Sequence, residues 1–266
     1  MGEAIVVTSG KGGVGKTTTT ANVGTALALA GKRVCLVDTD IGLRNLDVVM
    51  GLENRIIYDL VDVIEGRCRL HQALVTDKRF ECLSLLPAAQ TKDKTAIKPK
   101  QVKKLIDELK KDYDYVLIDC PAGIEQGFQN AIAGADKAII VTTPEISSVR
   151  DADRIIGLLE KEPQIEPARL VLNRIRPHMS KSGDSLDVEE VVSILSIELL
   201  GIVVDEDEVI KASNSGEPVA MNPKIKASIA YRNIARRICG ESVPLMSLEN
   251  DKGMVMRMKK FLGIRG

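Results

Sequence analysis

Ten consecutive residues near the start of the chain have the types and spacing of a phosphate-binding loop. Residues 9–18 read SGKGGVGKTT and fit the pattern G-x-x-x-x-G-K-[S/T]. Glycines let a backbone wrap closely around a phosphate chain, with its N–H groups pointing inward. Lys16 is expected between the β- and γ-phosphates, and the hydroxyl of Thr17 is expected to bind Mg²⁺. The segment therefore predicts a site for a nucleoside triphosphate and Mg²⁺.

A second lysine, Lys11, directly follows the first glycine of the pattern. A lysine at that position cannot easily fold back onto phosphates that its own loop already surrounds. We expect it to project outward, across a dimer face, toward the nucleotide of a partner subunit. The alternative is an exposed, solvated lysine. The predicted phosphate-binding residues are Gly10, Lys11, Gly12, Gly13, Val14, Gly15, Lys16, Thr17 and Thr18.

Aspartates stand where two predicted strands end. Asp38 and Asp40 close the second strand, and Asp119 closes a later apolar strand and precedes Cys-Pro-Ala-Gly. Loops at this edge of an open α/β sheet converge on the ligand, and an aspartate at the position of Asp119 can hold a Mg²⁺-bound water. A single aspartate at a strand end is more often a helix cap or a turn residue. Three of them in a chain with a phosphate loop indicate a metal–nucleotide site.

Apolar runs rich in β-branched residues alternate with segments of helical periodicity. This alternation predicts a single α/β P-loop NTPase domain with a mainly parallel, twisted sheet and helices on both faces. Two of the helical segments carry apolar residues at the spacing of one buried face, within 98–111 and 149–159. The predicted strands are 4–8, 33–38, 82–86, 115–119, 138–142, 170–173 and 201–204.

Composition excludes several classes of function. Of 266 residues, 44% are hydrophobic, which suffices for a large core, whereas aromatics are 3% and Trp is absent. Base stacking on aromatic platforms is therefore disfavoured. Lys+Arg and Asp+Glu balance at 37 each, which argues against a nucleic-acid binder that is basic over its whole length. No apolar run approaches the 18 residues typical of a membrane span.

These motifs together resemble the deviant Walker A ATPases of the ParA–MinD family, over essentially the full chain. The resemblance rests on the two lysines of the loop and on residues 38–47 (DTDIGLRNLD) and 119–123 (DCPAG), with further matches at 144–154 and 212–218. It is closest to the members that place the bacterial division site. It implies an ATPase that hydrolyses ATP with Mg²⁺ to ADP and phosphate, and that dimerises when ATP is bound.

The resemblance also implies roles for individual residues. Lys11 matches the signature lysine that reaches the partner's nucleotide, and Asp40 matches the residue that positions or activates the attacking water. Lys11, Lys16 and Asp40 are thus the expected catalytic residues. Thr17, with Asp38 and Asp119, is expected at the metal, the two aspartates acting through water. The family holds the adenine at the positions of Asn173 and Arg174.

The C-terminal residues have the pattern of a short cationic amphipathic helix. Residues 252–266 contain five Lys/Arg and no Asp/Glu, and one helical arc is apolar. The alternatives are a terminal helix docked on the core and a disordered end. The expected membrane-binding residues are Met254, Val255, Met258, Lys259, Lys260, Phe261 and Leu262.

The chain is accordingly divided into an ATPase domain at 1–240, a linker at 241–251 and the amphipathic helix at 252–266. The expected location is the cytoplasm, with reversible peripheral binding to an anionic membrane surface. By resemblance, the expected partners are a second copy of the chain, a MinC-like division inhibitor and a topological regulator.

Three alternatives come from related or different classes. A ParA-type DNA-partitioning ATPase would require a basic surface. A reductase similar to the nitrogenase iron protein would require paired cysteines for an iron–sulfur cluster, and the five cysteines form no C-x-x-C pair. A flagellar-number ATPase commonly has an extension before the loop, which we do not expect here.

Overall fold

The computed structural model describes residues 1–92, 97–177, 179 and 185–246. In this part of the chain, eight strands form one sheet in the order β3-β4-β2-β5-β1-β6-β7-β8. The strands are β1 (Glu3–Thr8), β2 (Val34–Asp38), β3 (Val75–Asp77), β4 (Phe80–Leu86), β5 (Tyr115–Asp119), β6 (Lys137–Thr142), β7 (Arg169–Ile175) and β8 (Glu198–Val204).

The sheet is parallel except at one edge, where β3 pairs antiparallel with β4. The central strand β1 pairs with β5 on one side and with β6 on the other. The pairing of β2 with β5 sets Asp38 directly opposite Asp119. The register alone thus brings two of the predicted acidic residues together at the carboxyl edge of the sheet.

Helices connect the parallel strands, and the helix that follows the phosphate loop begins at Lys16. The α-helices are α1 (Lys16–Leu29), α2 (Leu46–Met50), α3 (Leu60–Ile64), α4 (Leu70–Ala73), α5 (Pro99–Asp112), α6 (Gln126–Ile132), α7 (Ile146–Leu159), α8 (Val188–Leu195), α9 (Asp207–Asn214) and α10 (Lys226–Ile238). Among the described residues, 3₁₀ turns lie at Glu53–Arg55 and Val219–Met221.

Alternate residues of the central strands contribute to two cores, one on each face of the sheet. Ala4 and Val6 of β1 belong to the core that contains the apolar faces of α5 and α7. Ile5 and Val7 belong to the core that contains the apolar residues of α1 and α10. The sheet is therefore buried on both faces, as its continuous apolar strands predict. The predicted fold class is confirmed.

The end of the domain is described only in part. Helix α10 ends at Ile238 and is followed by Gly240 with a φ of 86°. The predicted linker is described as far as residue 246, and the predicted membrane-binding residues lie outside the described residues. Among the described residues, no helix has both the length and the apolar composition needed to cross a bilayer.

Candidate functional site

The phosphate loop joins β1 to α1 and is closed by a glycine in the left-handed region. Gly15 is the N-cap of α1 with a φ of 99°, and a Cβ at this position would lie 2.4 Å from Nδ2 of Asn173. A side chain here would meet both backbone strain and a steric clash. Because the 14-residue helix α1 begins directly after this glycine, the free N–H groups of its first turn lie at the end of the loop. Such an N-terminus favours an anion.

The two lysines of the loop lie in different environments. Lys16 is buried, and its Nζ donates a hydrogen bond to Oγ of Ser9 at 2.9 Å. The Ser9 hydroxyl in turn donates to the carbonyl oxygen of Lys11 at 2.7 Å. Lys16 is thus held within its own loop, as its predicted role on the phosphates of the same subunit requires. Ser9, which directly precedes the first glycine of the pattern, was not among the predicted site residues.

Lys11 lies on the surface, where its side chain is 42% exposed. Its Nζ is 3.2 Å from Oε2 of Glu145 and 3.2 Å from Oγ of Ser147, at the start of α7. The amine is thus held at the start of α7, and its reach to the nucleotide of a partner subunit stays a prediction. Its contact with α7 was not predicted, because nothing in the spacing of residues 11 and 145 indicates that they meet.

The acidic residues meet the start of α1. The Thr17 hydroxyl donates to Oδ2 of Asp119 at 2.7 Å, and the Thr20 hydroxyl donates to Oδ1 of the same carboxylate at 3.3 Å. Asp38 accepts hydrogen bonds from the backbone N–H of Asp40 at 2.9 Å and of Leu46 at 3.2 Å. The structure thus brings Thr17, Asp38, Asp40 and Asp119 together. Thr20 was not predicted.

Burial makes negative charge unfavourable in this cluster. Burial, and then the charge of Asp119, raise the pKa of Asp38. Burial also raises the pKa of Asp119, against the opposing effects of the Thr17 hydrogen bond and the Lys16 charge, and Asp40 raises it further. A cation would offset this repulsion.

Carboxylate and hydroxyl oxygens suit Mg²⁺, which proteins commonly hold with one or two carboxylates plus substrate phosphates. Within the described ranges, no group of three or more His, Cys, Asp or Glu side chains could form a metal site by itself. The residues at the loop therefore fit a magnesium ion that is shared with a phosphate chain. They do not fit a metal site built from protein ligands alone.

A groove beside the phosphate loop contains the two residues expected to hold the adenine. Asn173 follows the apolar part of β7, and its Nδ2 donates to the carbonyl oxygen of Val14 at 2.8 Å. Arg174 is exposed, with a φ of 56°. Both line the groove, and their contact with a base stays a prediction. The groove residues that were not predicted as part of the site are Val204, Asp205, Glu206, Val209, Ile210, Ser213 and Asn214.

Comparison with known proteins agrees with this geometry. Residues 5–219 match the model of the CobQ/CobB/MinD/ParA nucleotide binding domain. The chain is 74% identical to the septum site-determining protein MinD of Bacillus subtilis (strain 168), over 100% of both chains.

Solved structures of MinD proteins are also similar to this chain. The MinC:MinD cell division protein complex of Aquifex aeolicus matches with a TM-score of 0.86 and 52% identity, covering 92% of this chain and 99% of that one. The septum site-determining protein MinD complexed with Mg-ADP from Pyrococcus horikoshii OT3 matches with a TM-score of 0.81 and 31% identity, covering 90% and 96%. A match over most of the chain at such identities establishes common descent and a shared nucleotide-binding fold. The chain belongs to the MinD/ParA family of nucleotide-binding NTPases and, within it, to the septum site-determining MinD proteins.

Proposed function

We propose that this protein is an ATP-hydrolysing molecular switch that helps to place the division septum. The observation that carries the proposal is the arrangement of the loop: Lys16 is buried against Ser9, and Thr17 contacts Asp119 beside Asp38. The similarity to septum site-determining proteins over the full chain supports the biological role. The reaction is ATP and water to ADP and phosphate.

The proposed reaction is in-line attack of water on the γ-phosphate. Lys16 and the N–H groups of the loop stabilise the charge that develops on the phosphate oxygens. Asp40 positions the attacking water. When bound, Mg²⁺ supplies charge neutralisation on the phosphates, and Thr17, with Asp38 and Asp119 through water, would hold it. Asn173 and Arg174 hold the adenine in the adjoining groove.

Dimerisation completes the site in this proposal. Lys11 leaves Glu145 and Ser147 and reaches the nucleotide of the partner subunit, where it acts as an arginine finger does. The contact that it leaves is an exposed ion pair, and such pairs contribute only about 0–1 kcal/mol. Release of Lys11 therefore costs little compared with a new contact to a triphosphate.

Membrane binding follows from dimerisation. We assign residues 1–240 to the ATPase domain, 241–251 to a linker and 252–266 to an amphipathic helix that lies in the headgroup region of an anionic bilayer. One such helix is short and binds weakly, and two on one dimer bind together. The protein is then cytoplasmic and reversibly bound to the inner face of the cell membrane.

The proposed partners are a MinC-like division inhibitor, recruited to the membrane by the dimer, and a topological regulator. The Aquifex aeolicus protein, 52% identical over most of the chain, forms a complex with MinC, which supports the first of these. The balanced charge of the chain gives no support to DNA binding as the main activity.

Size-exclusion chromatography of an Asp40→Ala protein with ATP or ADP, with and without anionic vesicles, tests the proposal. This variant should retain ATP, elute as a dimer with ATP and as a monomer with ADP, and bind vesicles only with ATP. Wild-type protein should hydrolyse ATP and return to the monomer. A protein that binds vesicles equally with both nucleotides, or that shifts DNA in a gel at moderate salt, would contradict the assignment.

A further inference from the structure

Arg79, in the turn between β3 and β4, joins two separate segments of the chain. Its Nη2 donates to the carbonyl oxygen of Met50 at 2.6 Å, and its Nη1 donates to the carbonyl oxygen of Gly216 at 2.9 Å. The guanidinium is oriented by the buried carboxylate of Asp77, which accepts from Nε at 2.9 Å and from Nη2 at 2.6 Å. A planar fork with five N–H donors can make all these bonds at once.

The two segments that Arg79 joins also touch each other. Gly51 follows α2 and Gly216 follows α9, with φ values of 66° and 65°. A Cβ at Gly216 would lie 2.5 Å from the Cα of Gly51, so the backbones are in direct contact. The two loops are therefore packed together, with Arg79 bonded to both.

Each segment leads to a different part of the nucleotide site. Helix α2 is about 7.5 Å long at 1.5 Å per residue. At its start the N–H of Leu46 donates a hydrogen bond to the carboxylate of Asp38, and the helix ends at Met50. Helix α9 lines the groove beside the phosphate loop with Ile210 and Ser213, and Gly216 follows two residues after its end. Arg79 thus connects the wall of the groove beside the phosphate loop, here called the base groove, to residues 39–45 between β2 and α2, here called the acidic loop. Arg79 itself lies outside the site.

We propose that Arg79 is a positioning residue that holds the acidic loop, including Asp40, in register with the base groove. This inference rests on the proposed function, because the register matters for hydrolysis of a nucleotide held by both parts. Loss of the link leaves the phosphate loop and the groove residues in place, so ATP still binds. The water-positioning aspartate loses its fixed place, and a displacement of about 1 Å at such a group can cost a factor of about 10² in rate.

The test is single-turnover hydrolysis of Mg-ATP by Arg79→Lys, measured with the dissociation constant for ATP and with a thermal melt. Lysine keeps the charge and cannot bond both carbonyls and Asp77 together. We expect the rate constant per ATP-bound protein to fall about tenfold and the dissociation constant to stay within about twofold. Arg33→Lys is the matched control, since Arg33 forms an exposed pair with Asp114 away from the site, and it should match wild type.

The outcomes separate this inference from the proposed function. If wild type and Arg33→Lys do not hydrolyse ATP, the proposed function fails. If they do, and Arg79→Lys hydrolyses bound ATP at the wild-type rate, the inference is overturned. If Arg79→Lys only lowers the fraction of folded protein, its rate per bound ATP equals that of wild type. This outcome also overturns the inference. If Arg79→Lys lacks a cooperative melt, the same measurements are made on Asp77→Asn and judged by the same criteria. If neither variant folds, Arg79 is assigned to fold stability alone.

Discussion

Two lysines five positions apart in one loop have different surroundings, and the proposed function assigns them to the nucleotides of different subunits. Lys16 is buried and bonded to Ser9 within its loop. Lys11 is exposed, and its amine is held by Glu145, which directly precedes α7, and by Ser147 of α7. A buried, fixed amine suits charge stabilisation on the nucleotide of its own subunit. An exposed amine in a weak ion pair is available to another molecule.

The first prediction concerns Lys11. Lys11→Ala should retain nucleotide binding at least in part, since Lys16 and the loop N–H groups are unchanged. It should abolish ATP-dependent dimerisation and lower turnover by about 10²-fold or more, because the partner's phosphates lose a preorganised donor. Size-exclusion chromatography and a phosphate-release assay measure both effects. Lys103→Ala, which removes an exposed lysine of α5, is the control. Normal turnover by Lys11→Ala would exclude a role across the dimer.

A second prediction concerns Asp38 in the nucleotide-free protein. Burial first, and then the charge of Asp119, raise the pKa of Asp38, so the folded state binds this proton more tightly than the unfolded state. The stability from this proton is fully present below the ordinary carboxyl pKa of about 4 and is lost as pH rises through the raised pKa. Asp38→Asn cannot titrate, and its loss of one backbone hydrogen bond is independent of pH.

From about pH 5 to about pH 8, the free energy of unfolding of wild type should therefore fall relative to Asp38→Asn, by up to about 1.4 kcal/mol per pH unit. Urea denaturation at several pH values, without nucleotide or Mg²⁺, measures the difference. Asp114→Asn serves as the control, because the hydrogen bonds from Arg33 lower the pKa of Asp114, so its contribution is complete above the ordinary carboxyl pKa and its difference from wild type should stay constant from about pH 5 to about pH 8. Parallel curves for wild type and Asp38→Asn would contradict the argument.

At the scale of elements, the long buried strands and helices could be predicted from the sequence. Strand β5 occupies Tyr115–Asp119, as predicted, and β1 begins one residue before the predicted start. Strand β8 begins at Glu198, three residues before the predicted start, because Leu199 and Leu200 continue the apolar pattern of the preceding helical segment and leave no visible boundary. The edge strand Val75–Asp77 was not predicted, since three residues are too few to show a period. The helices of four or five residues were missed for the same reason.

The parts of the site that motifs and strand ends indicate could be predicted from the sequence. The convergence of Thr17, Asp38 and Asp119 could be predicted because the ends of parallel strands, and the loops that follow them, meet at one edge of the sheet. The contacts of Lys11 with Glu145, and of Arg79 with Gly216, join residues more than 130 positions apart. Only tertiary packing creates such contacts, so neither spacing nor composition could indicate them.

A third prediction concerns the C-terminal element, which lies outside the described residues. On a helical wheel Met258 belongs to the predicted apolar arc, whereas Met256 falls on the opposite side. Met258→Ala should weaken vesicle binding of the ATP-bound protein by about 1–2 kcal/mol for each tail, in proportion to the apolar surface lost. Met256→Ala should have little effect. Co-sedimentation with anionic vesicles measures both, and equal losses would contradict an amphipathic helix.

At the scale of the whole molecule, the proposed activity depends on the position of each part relative to the sheet. The phosphate loop, Asp38 and Asp119 all lie at the carboxyl edge, where parallel strands end. Glu145 follows β6 at the same edge, and its contact with Lys11 shows which surface carries the exposed amine. A dimer in which the Lys11 of each subunit reaches the nucleotide of the other must therefore pair the carboxyl edges of the two sheets. In the proposed function, pairing would place two C-terminal tails on one particle, and nucleotide occupancy would control the number of membrane anchors.

The last prediction concerns the number of C-terminal tails on each dimer. Linking two weak binding elements can raise the overall affinity by about 10²–10⁴ without new contacts. In the ATP-bound Asp40→Ala background, dimers of full-length chains should therefore bind anionic vesicles far more tightly than mixed dimers with one chain ending at residue 251. Co-sedimentation of tagged mixed dimers, purified through a tag on each chain, gives the two affinities. Dimers with no tail provide the baseline, and zwitterionic vesicles test the contribution of charge. If one tail binds as tightly as two, nucleotide-driven pairing cannot be what brings the protein to the membrane, and a partner or a permanently docked helix must do so.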